Sequence, residues 1–269
     1  MKMSRLLAAA ALLLSATAAR ATSSTTFWTP ATTYVQPYLV PHLTYDTYVS
    51  ERSAFQNDYG LTVGVLPFEK LQAEVGIDSF MPGLASTNLY LNAKLGVPEG
   101  AFGEWSPGLS GGIYGVGFKS DVSDFDILHA ELGKTFPMIG ALTVGGYYGL
   151  NDKLLVSSSG DVQRAGFMAG WTSPDVVLNL TGLNKINFTA DVQTGKNAFG
   201  AVGGGIGLYF TPAIDILTGP VFFFDSNATT MLPGPGIRGT GRPDWLWTVQ
   251  LDVDLDWHKL VPAAAAPKA

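Results

Sequence analysis

The segment VQLDVDLDW, which begins at Val249, alternates apolar and polar residues without interruption. Successive side chains of a β-strand point to opposite faces, so Asp252, Asp254 and Asp256 share one face and the apolar residues share the other. A soluble sheet produces this pattern when one face packs on a core and the other meets water. A membrane-spanning strand produces it when one face meets lipid and the other a watery lumen. The rest of the chain has to decide between these two environments.

The same two-residue alternation recurs along the chain and divides it into twelve predicted strands. They cover residues 38–50, 58–68, 71–80, 86–96, 107–118, 125–135, 140–150, 163–173, 184–194, 199–211, 213–225 and 244–257. Their lengths cluster near the ~9–11 residues with which a tilted strand crosses a membrane, and single-chain bacterial barrels have even strand numbers. Residues 174–184 leave room for an irregular strand, so ten or fourteen strands are the alternatives. We therefore predict an all-β fold, a transmembrane antiparallel up-and-down β-barrel of about 12 strands.

The composition favours the membrane environment. Charged residues make up 14 % of the chain, whereas soluble domains contain ~25 %. In the segment AVGGGIGLYF, Gly203, Gly205 and Gly207 fall on the face opposite the apolar residues. A solid core would need branched side chains on that face, so these glycines predict open space inside the barrel.

The beginning of the chain has the layout of a secretory signal peptide, with a basic start, an apolar run and the small-residue end Ala19-Arg20-Ala21. The apolar run is shorter than the ~20 residues of a membrane-spanning helix. We assign the segments as follows: 1–21 signal peptide, 22–37 N-terminal periplasmic segment, 38–257 β-barrel and 258–269 disordered C-terminal tail.

Charge and cysteine content exclude several classes of function. Without Lys2, Arg5 and Arg20 of the signal peptide, the chain has 13 basic and 22 acidic residues, a net charge of −9. An acidic chain without a Lys/Arg cluster does not favour nucleic acid as a partner. The absence of cysteine excludes thiol catalysis and cysteine metal sites, and it suits an exported protein that a large closed sheet stabilises. We expect no cofactor.

The connections predict which end of the barrel faces the periplasm. The predicted periplasmic turns are short, at residues 67–70, 136–140 and 211–213. The predicted outer loops are long, at residues 151–163 and 226–244. Short periplasmic turns and long outer loops are typical of outer-membrane barrels. Connections 97–108 and 173–184 depart from this rule.

Large aromatic residues gather near the predicted strand ends. They are Trp171, Trp245, Trp247, Trp257, Phe68, Phe80, Phe210, Phe222 and Phe224. Aromatic residues in these places form girdles at the two membrane interfaces of outer-membrane barrels. We therefore predict that these side chains point outward.

The stretch FTADVQTGKNAFGAVGGGIGLYFTPAIDILTGPVFFFDS, together with WTVQLDVDLDW, resembles small porin-like outer-membrane β-barrel proteins of Gram-negative bacteria. This resemblance implies a location in the bacterial outer membrane, with its lipid as the surroundings. It also implies that the barrel-assembly machinery reads the last strand, with Val253, Leu255 and the aromatic Trp257 as an assembly signal. In this chain HKLVPAAAAPKA follows Trp257, whereas the family's last strand ends at its aromatic residue.

The candidates for a catalytic site and a metal site are His129 and the carboxylates of Asp252, Asp254 and Asp256. Outer-membrane phospholipases are twelve-stranded barrels with a serine–histidine site, and a hydrolase of that kind would need a serine near His129. The chain lacks the family's His-x-Ser-Asn-Gly segment, so we predict that the protein is not an enzyme. Asp252, Asp254 and Asp256 stand ~6.6–7 Å apart along a strand, too far for all three to bind one metal ion.

The remaining polar residues define the predicted lumen. The lumen-lining set comprises Glu74, Asp78, Lys94, His129, Glu131, Arg164, Lys185, Asp191, Asp252, Asp254 and Asp256. Because Glu74 and Lys94 fall opposite each other across a hairpin, they are candidates for an ion pair. Acids outnumber bases in this set, and rings of Asp and Glu select cations.

These residues predict a passive channel for small solutes with a mildly cation-preferring lumen. A second candidate is a non-conducting structural or surface-binding barrel with a blocked lumen. A transporter of hydrophobic compounds and a membrane-embedded hydrolase are further alternatives.

Overall fold

The structure is a computed structural model that describes residues 24–50, 56–81, 89–225 and 244–256. The predicted signal peptide, Trp257, His258 and the predicted tail lie outside these ranges. The described residues form thirteen β-strands. In chain order they are β1 (Pro41–Val49), β2 (Gln56–Gly64), β3 (Gln72–Met81), β4 (Leu89–Val97), β5 (Gly108–Gly117), β6 (Ile127–Phe136), β7 (Gly140–Gly149), β8 (Ala165–Thr172), β9 (Val176–Leu180), β10 (Leu183–Gln193), β11 (Ala201–Thr211), β12 (Ile214–Phe223) and β13 (Trp245–Asp254).

Antiparallel pairing between neighbouring strands closes the sheet into a barrel. β1 pairs with β2 on one side and with β13 on the other, so the first and last strands join. The closed wall has twelve strands, and the short β9 is an additional strand that pairs with β10 beyond the end of β8. The predicted all-β, 12-stranded antiparallel barrel is confirmed. The described part of the chain contains no helix with the length and hydrophobicity that a membrane crossing requires.

The wall of the barrel is apolar on the outside and polar on the inside. Glu131 and Leu132 are neighbours on β6, yet they are 4 % and 45 % exposed. Other exposed apolar side chains follow the same rule on the remaining strands; examples are Leu43, Leu61, Val75, Leu95, Leu109, Leu128, Val144, Phe167, Phe188 and Val202. Soluble monomers rarely expose contiguous apolar patches above a few hundred Å². A continuous apolar belt of this kind is suited to lipid.

The interrupted strand explains one of the two long connections. β8 ends before Pro174, which has no N–H to donate to the sheet. The Ser173 hydroxyl accepts a hydrogen bond from the backbone N–H of Phe188 at 2.9 Å, and β9 then resumes the pairing with β10. The sequence left residues 174–184 open as an irregular strand, and β9 lies there.

The two ends of the barrel differ in the length of their connections. We call the end where β1 begins the turn end. Its connections are residues 65–71, 98–107, 137–139 and 212–213, in addition to the β8–β9 extension. We call the opposite end the loop end, where residues 118–126, 150–164 and 194–200 connect the strands.

Five of the aromatic side chains that were predicted to point outward are exposed, namely Phe68, Phe222, Phe224, Trp245 and Trp247. Trp171 and Phe210 are half-buried, and Trp257 lies outside the described residues. Phe80, which was predicted to point outward, lies opposite the buried Asp58 in the register of β2 and β3 and packs against the buried hydrophobic clusters. The prediction failed there because Phe80 occupies an inward position of the alternation.

Residues 24–36 lie inside the barrel, and residues 37–40, of which Tyr38 and Leu39 are exposed, lead from the turn end into β1. Phe27 is 1 % exposed and Ala31 is completely buried, and both contact glycines of the inner wall at Gly203 and Gly170. The sequence predicted that residues 22–37 form a periplasmic segment that precedes the barrel, and the structure corrects this for residues 24–36. The apex of the segment is Trp28, whose ring meets Tyr48 edge-on at 5.6 Å near the loop end.

Candidate functional site

The inner wall collects most of the residues predicted to line the lumen. Glu74, Lys94, His129, Glu131, Asp191, Asp252 and Asp254 are buried, and Asp78, Lys185 and Asp256 are half-buried. Arg164 is a correction, because its guanidinium lies 4.8 Å from the ring centroid of Tyr148, which is an exposed, outward-pointing side chain. Arg164 precedes the first residue of β8, so its long side chain reaches around the rim of the wall.

The predicted assembly-signal residues fall at the end of β13. Val253 alternates with the buried Asp252 and Asp254 and is half-buried. Leu255 follows the last residue of the strand, and its backbone N–H bonds to the carbonyl of Pro41 at 2.8 Å. Trp257 lies outside the described residues, and the role of these residues in assembly stays a prediction.

Residues 24–40 are held in place by charged side chains of the wall. Asp191 Oδ2 accepts hydrogen bonds from the backbone N–H groups of Phe27, Trp28 and Thr29 at 2.9, 2.8 and 2.7 Å. The Thr29 hydroxyl donates a fourth hydrogen bond to the same oxygen at 3.1 Å. Hydrogen bonds to a carboxylate are stronger than those between neutral groups, so Asp191 is a strong anchor for the apex of the segment.

Two further wall residues bind the descending part of the segment. Lys94 Nζ donates to the backbone carbonyls of Ser24, Thr32 and Tyr34 at 2.5, 3.3 and 3.3 Å. Glu74 accepts a hydrogen bond from the backbone N–H of Gln36 at 2.5 Å. Glu74 on β3 and Lys94 on β4 lie directly opposite each other, as the hairpin register predicted, and each of them binds the segment.

Glycines on β11 make room for the segment. A Cβ atom at Gly203 would lie 2.8 Å from the Phe27 ring, and one at Gly205 would lie 2.9 Å from it. The sequence predicted open space in the lumen beside these glycines. The structure corrects this, because the ring of Phe27 occupies the space.

Two aspartates of β13 contact a histidine of β1. His42 Nδ1 lies 2.9 Å from Asp254 Oδ1, and His42 Nε2 lies 3.2 Å from Asp252 Oδ1. Gln36 Nε2 also donates to Asp254 Oδ1 at 2.9 Å. We call His42, Asp252 and Asp254 the His42 cluster. Asp215 on β12 is buried opposite Asp252.

A second group of acids lines a cavity between the segment and strands β1 to β3. Asp46 on β1 lies directly opposite Asp58 on β2. Asp78 on β3 lies opposite Gly60 of β2. We call Asp46, Asp58 and Asp78 the cavity acids. The cavity has a volume of about 190 Å³. Sequence reasoning missed Asp46 and Asp58, although both occupy polar positions within their strands.

The groups around His129 do not form a serine–histidine pair. His129 Nδ1 lies 2.6 Å from Glu131 Oε1, and the Ser110 hydroxyl donates to Glu131 Oε2 at 2.7 Å. Glutamate therefore lies between the serine and the histidine, whereas nucleophilic catalysis needs the histidine next to the serine. In the described ranges no group of three or more His, Cys, Asp or Glu residues is placed to hold a metal ion.

An aromatic cluster fills the barrel interior at the loop end. Phe199 meets Phe125 edge-on at 5.1 Å and Tyr114 edge-on at 5.6 Å. Leu155, from the connection between β7 and β8, is completely buried in the same cluster as Phe125. The interior is therefore occupied by residues 24–36 from the turn end and by this cluster at the loop end.

No family model and no curated protein matches the chain. Among solved structures, the NanC porin covers 79 % of this chain and 98 % of its own, with a TM-score of 0.48 and 11 % identity.

An outer membrane channel from Pseudomonas putida F1 covers 82 % of this chain and 96 % of its own, with a TM-score of 0.43 and 11 % identity. OmpF of Salmonella typhi, in complex with daunomycin, covers 80 % of this chain and 96 % of its own, with a TM-score of 0.36 and 7 % identity. The assignment of this chain to the 12-stranded antiparallel β-barrels rests on its own strand pairing.

Proposed function

We propose that the protein is a channel for small solutes in the bacterial outer membrane, with a lumen that favours cations and that residues 24–40 close. The observation that carries the proposal is the inverted polarity of the wall, whose outer face is apolar and whose inner face carries buried ionisable groups. A closed barrel is one of the two structures that satisfy every backbone polar group inside a bilayer. The polar inner wall is the type of surface that solutes and water contact in porins.

The cation preference is supported by the excess of acids inside the wall. Besides the acids predicted from the sequence, Asp46, Asp58 and Asp215 lie on inward positions of β1, β2 and β12. The inward bases Lys94 and Lys185 are engaged, Lys94 by the carbonyls of the segment and Lys185 by Asp175 at 2.6 Å. Unbalanced carboxylates along a narrow path attract cations and repel anions.

Closure by the segment is supported by the way it is bound. Its anchors are hydrogen bonds between side chains of the wall and its backbone, such as those of Asp191 to Phe27, Trp28 and Thr29. The segment is not a strand of the wall, so it can leave the lumen without opening the barrel. The filled interior equally favours the second candidate, a non-conducting structural or surface-binding barrel.

Single-channel recording in planar bilayers distinguishes the two candidates. We expect Asp191→Ala to raise the open probability at least about tenfold over the wild type, because hydrogen bonds to a buried carboxylate contribute about 1.5–3 kcal/mol each. Asp215→Asn is the matched control, since it removes a buried inward carboxylate for which the described residues show no hydrogen bond to the segment. Reversal potentials in a KCl gradient should show K⁺ preferred over Cl⁻.

The outcomes are separable. Channels that open in Asp191→Ala and prefer cations support the proposal. Silence of both the wild type and Asp191→Ala would favour the non-conducting barrel. Conduction with a preference for anions, while Asp252, Asp254 and Asp256 are intact, would contradict the cation preference alone.

A further inference from the structure

The cavity between the segment and the wall has a polar side and an apolar side. The polar side carries the cavity acids on β1, β2 and β3. The apolar side is formed by aromatic residues, including Trp28 and Phe27 of the segment and Tyr48, Phe80 and Phe199 of the wall and loop end. A cavity lined mainly by apolar surface with a few convergent polar groups is the usual form of a small-molecule site.

Two oxygens of the cavity acids point to a missing partner. Asp58 is 8 % exposed, and its Oδ1 is buried without a hydrogen-bond partner. Buried polar atoms are nearly always hydrogen-bonded, and each exception requires an explanation. Asp46 Oδ1 is unpartnered as well, whereas the other oxygen of Asp46 accepts a hydrogen bond from Tyr48 at 3.1 Å. The free oxygens lie on directly opposite residues.

The cations that line the same cavity are already engaged by other groups. Lys94 donates to the backbone carbonyls of Ser24, Thr32 and Tyr34. His129 contacts Glu131 at 2.6 Å. The facing pair of carboxylates, Asp46 and Asp58, therefore lacks a cationic partner among the cavity-lining residues that the structure describes.

The size and lining of the cavity define the chemistry that fits. A cavity of about 150 Å³ with apolar walls holds one benzene molecule, and this one measures about 190 Å³. An ammonium group supplies N–H donors to carboxylates, and aromatic faces attract cations. A ring-sized apolar body matches the aromatic side of the cavity.

We propose that this cavity binds a small organic ammonium ion whose charged group contacts Asp46 and Asp58 and whose apolar body packs against Trp28, Tyr48 and Phe80. The proposal rests on the proposed function for the route by which the ligand enters the lumen. Binding itself requires no flow of ions, so the two can fail separately.

Isothermal titration calorimetry on the full chain in detergent micelles tests the proposal. The probes are 2-phenylethylammonium and 2-phenylethanol, which share a ring and linker and differ in the ammonium group. Titration into empty micelles subtracts partitioning into detergent. The ammonium should bind, and the alcohol should bind at least about tenfold more weakly, because hydrogen bonds between charged groups are stronger than those of a neutral hydroxyl.

Two variants locate the site. Asp58→Asn should weaken binding of the ammonium about tenfold or more. Asp215→Asn should leave it unchanged, because Asp215 is also a buried, inward carboxylate without hydrogen-bond partners but does not line this cavity. If Asp58→Asn does not fold, as judged by heat-dependent migration on gels, Asp46→Asn replaces it with the same expected loss.

The outcomes either support or overturn the site. Equal binding of the alcohol and the ammonium would overturn it, as would an unchanged affinity in Asp58→Asn or an equal loss in Asp215→Asn. Saturable heat with KCl alone, undiminished by the ammonium, would show an inorganic cation site instead. Ammonium binding by a barrel that never conducts would support this inference and contradict the proposed channel.

Discussion

Two groups of buried acids lie side by side in the barrel and share strand β1, yet their surroundings differ. In the His42 cluster, an imidazole lies between Asp252 and Asp254, and Gln36 adds a hydrogen bond. Among the cavity acids, Asp46 and Asp58 face each other with no imidazole between them, and one oxygen of each lacks a hydrogen-bond partner. One oxygen of Asp254 also lacks such a partner, so the two groups differ in the imidazole and not in complete hydrogen bonding. The fold supplies a nitrogen base to the first group, whereas the facing carboxylates of the second group remain available to a cation that enters the lumen.

The largest expected effect comes from removing the partner of the first group. His42→Ala leaves Asp252 and Asp254 buried without the imidazole. Breaking a buried charged pair by removing one partner costs about 3–5 kcal/mol. We expect a loss of this size in the free energy of unfolding, measured by denaturant titration of the protein in detergent micelles.

The predicted difference between the two groups is contradicted if His42→Ala leaves the free energy of unfolding unchanged. A loss in His42→Ala that is no larger than the change in Asp58→Asn would mean that the two groups of acids do not differ in their contribution to stability. Asp58→Asn thus serves as the matched variant in the same assay.

Asp58→Asn should change stability in the opposite direction. Like charges directly opposite each other on neighbouring strands are destabilising, by roughly 0.2–1 kcal/mol. Because Asp46 and Asp58 are such a pair, neutralising Asp58 should raise the free energy of unfolding by up to about 1 kcal/mol. Destabilisation would show instead that the backbone hydrogen bonds of Ser79 and Tyr59 to the Asp58 carboxylate outweigh this repulsion.

The smallest effect concerns an acid outside the membrane-spanning strands. Glu99, in the connection between β4 and β5, forms an ion pair with Lys134 at 2.8 Å and accepts the backbone N–H of Thr135 at 2.9 Å. Burial acts to raise the pKa of Glu99, but these hydrogen bonds outweigh it and hold the pKa below 4.5.

The contribution of Glu99 to stability is therefore present above pH 4.5 and disappears as the pH falls through its lower pKa in the folded protein. Glu99→Gln should flatten this part of the stability profile by less than about 1 kcal/mol, because exposed ion pairs are screened. Denaturant titrations between pH 3 and pH 6, roughly the window spanning this titration, measure the difference. If Glu99→Gln changed the free energy of unfolding more than His42→Ala does, the predicted order of these effects would be wrong.

The strands of the barrel and their two faces could be predicted from the sequence because the alternation of apolar and polar residues is visible within each strand. A strand that separates lipid from a polar interior alternates at every second residue, so Glu131 and Leu132 reveal their faces without knowledge of their partners. The hairpin register also followed, since a turn fixes which residues face each other, as Glu74 and Lys94 do. The interruption at Pro174 was only an open alternative, because an irregular strand carries a weaker pattern.

The contents of the barrel could not be predicted because they depend on contacts between distant parts of the chain. Asp191 binds backbone N–H groups more than 160 positions away, and backbone donors leave no mark in the side-chain pattern. Gly203 was read as empty space, whereas the ring of Phe27 fills it. Arg164 was assigned a face by alternation, but a long side chain at a strand end can reach the other face.

A disulfide between the segment and the wall tests whether residues 24–36 occupy the lumen. The natural chain has no cysteine, so a single engineered pair gives an unambiguous signal. A Cβ atom built at Gly108 lies 3.2 Å from the Cβ of Thr33, close to the ~3.5–4.5 Å of a disulfide.

Thr33→Cys with Gly108→Cys should cross-link under mild oxidation in membranes and shift on a non-reducing gel. Thr33→Cys with Leu109→Cys is the control, because Leu109 is the next residue of β5 and its side chain points outward. If Thr33 lies inside the barrel, the Gly108 pair alone should cross-link. Failure of that pair to cross-link, or equal cross-linking of the Leu109 pair, would contradict it.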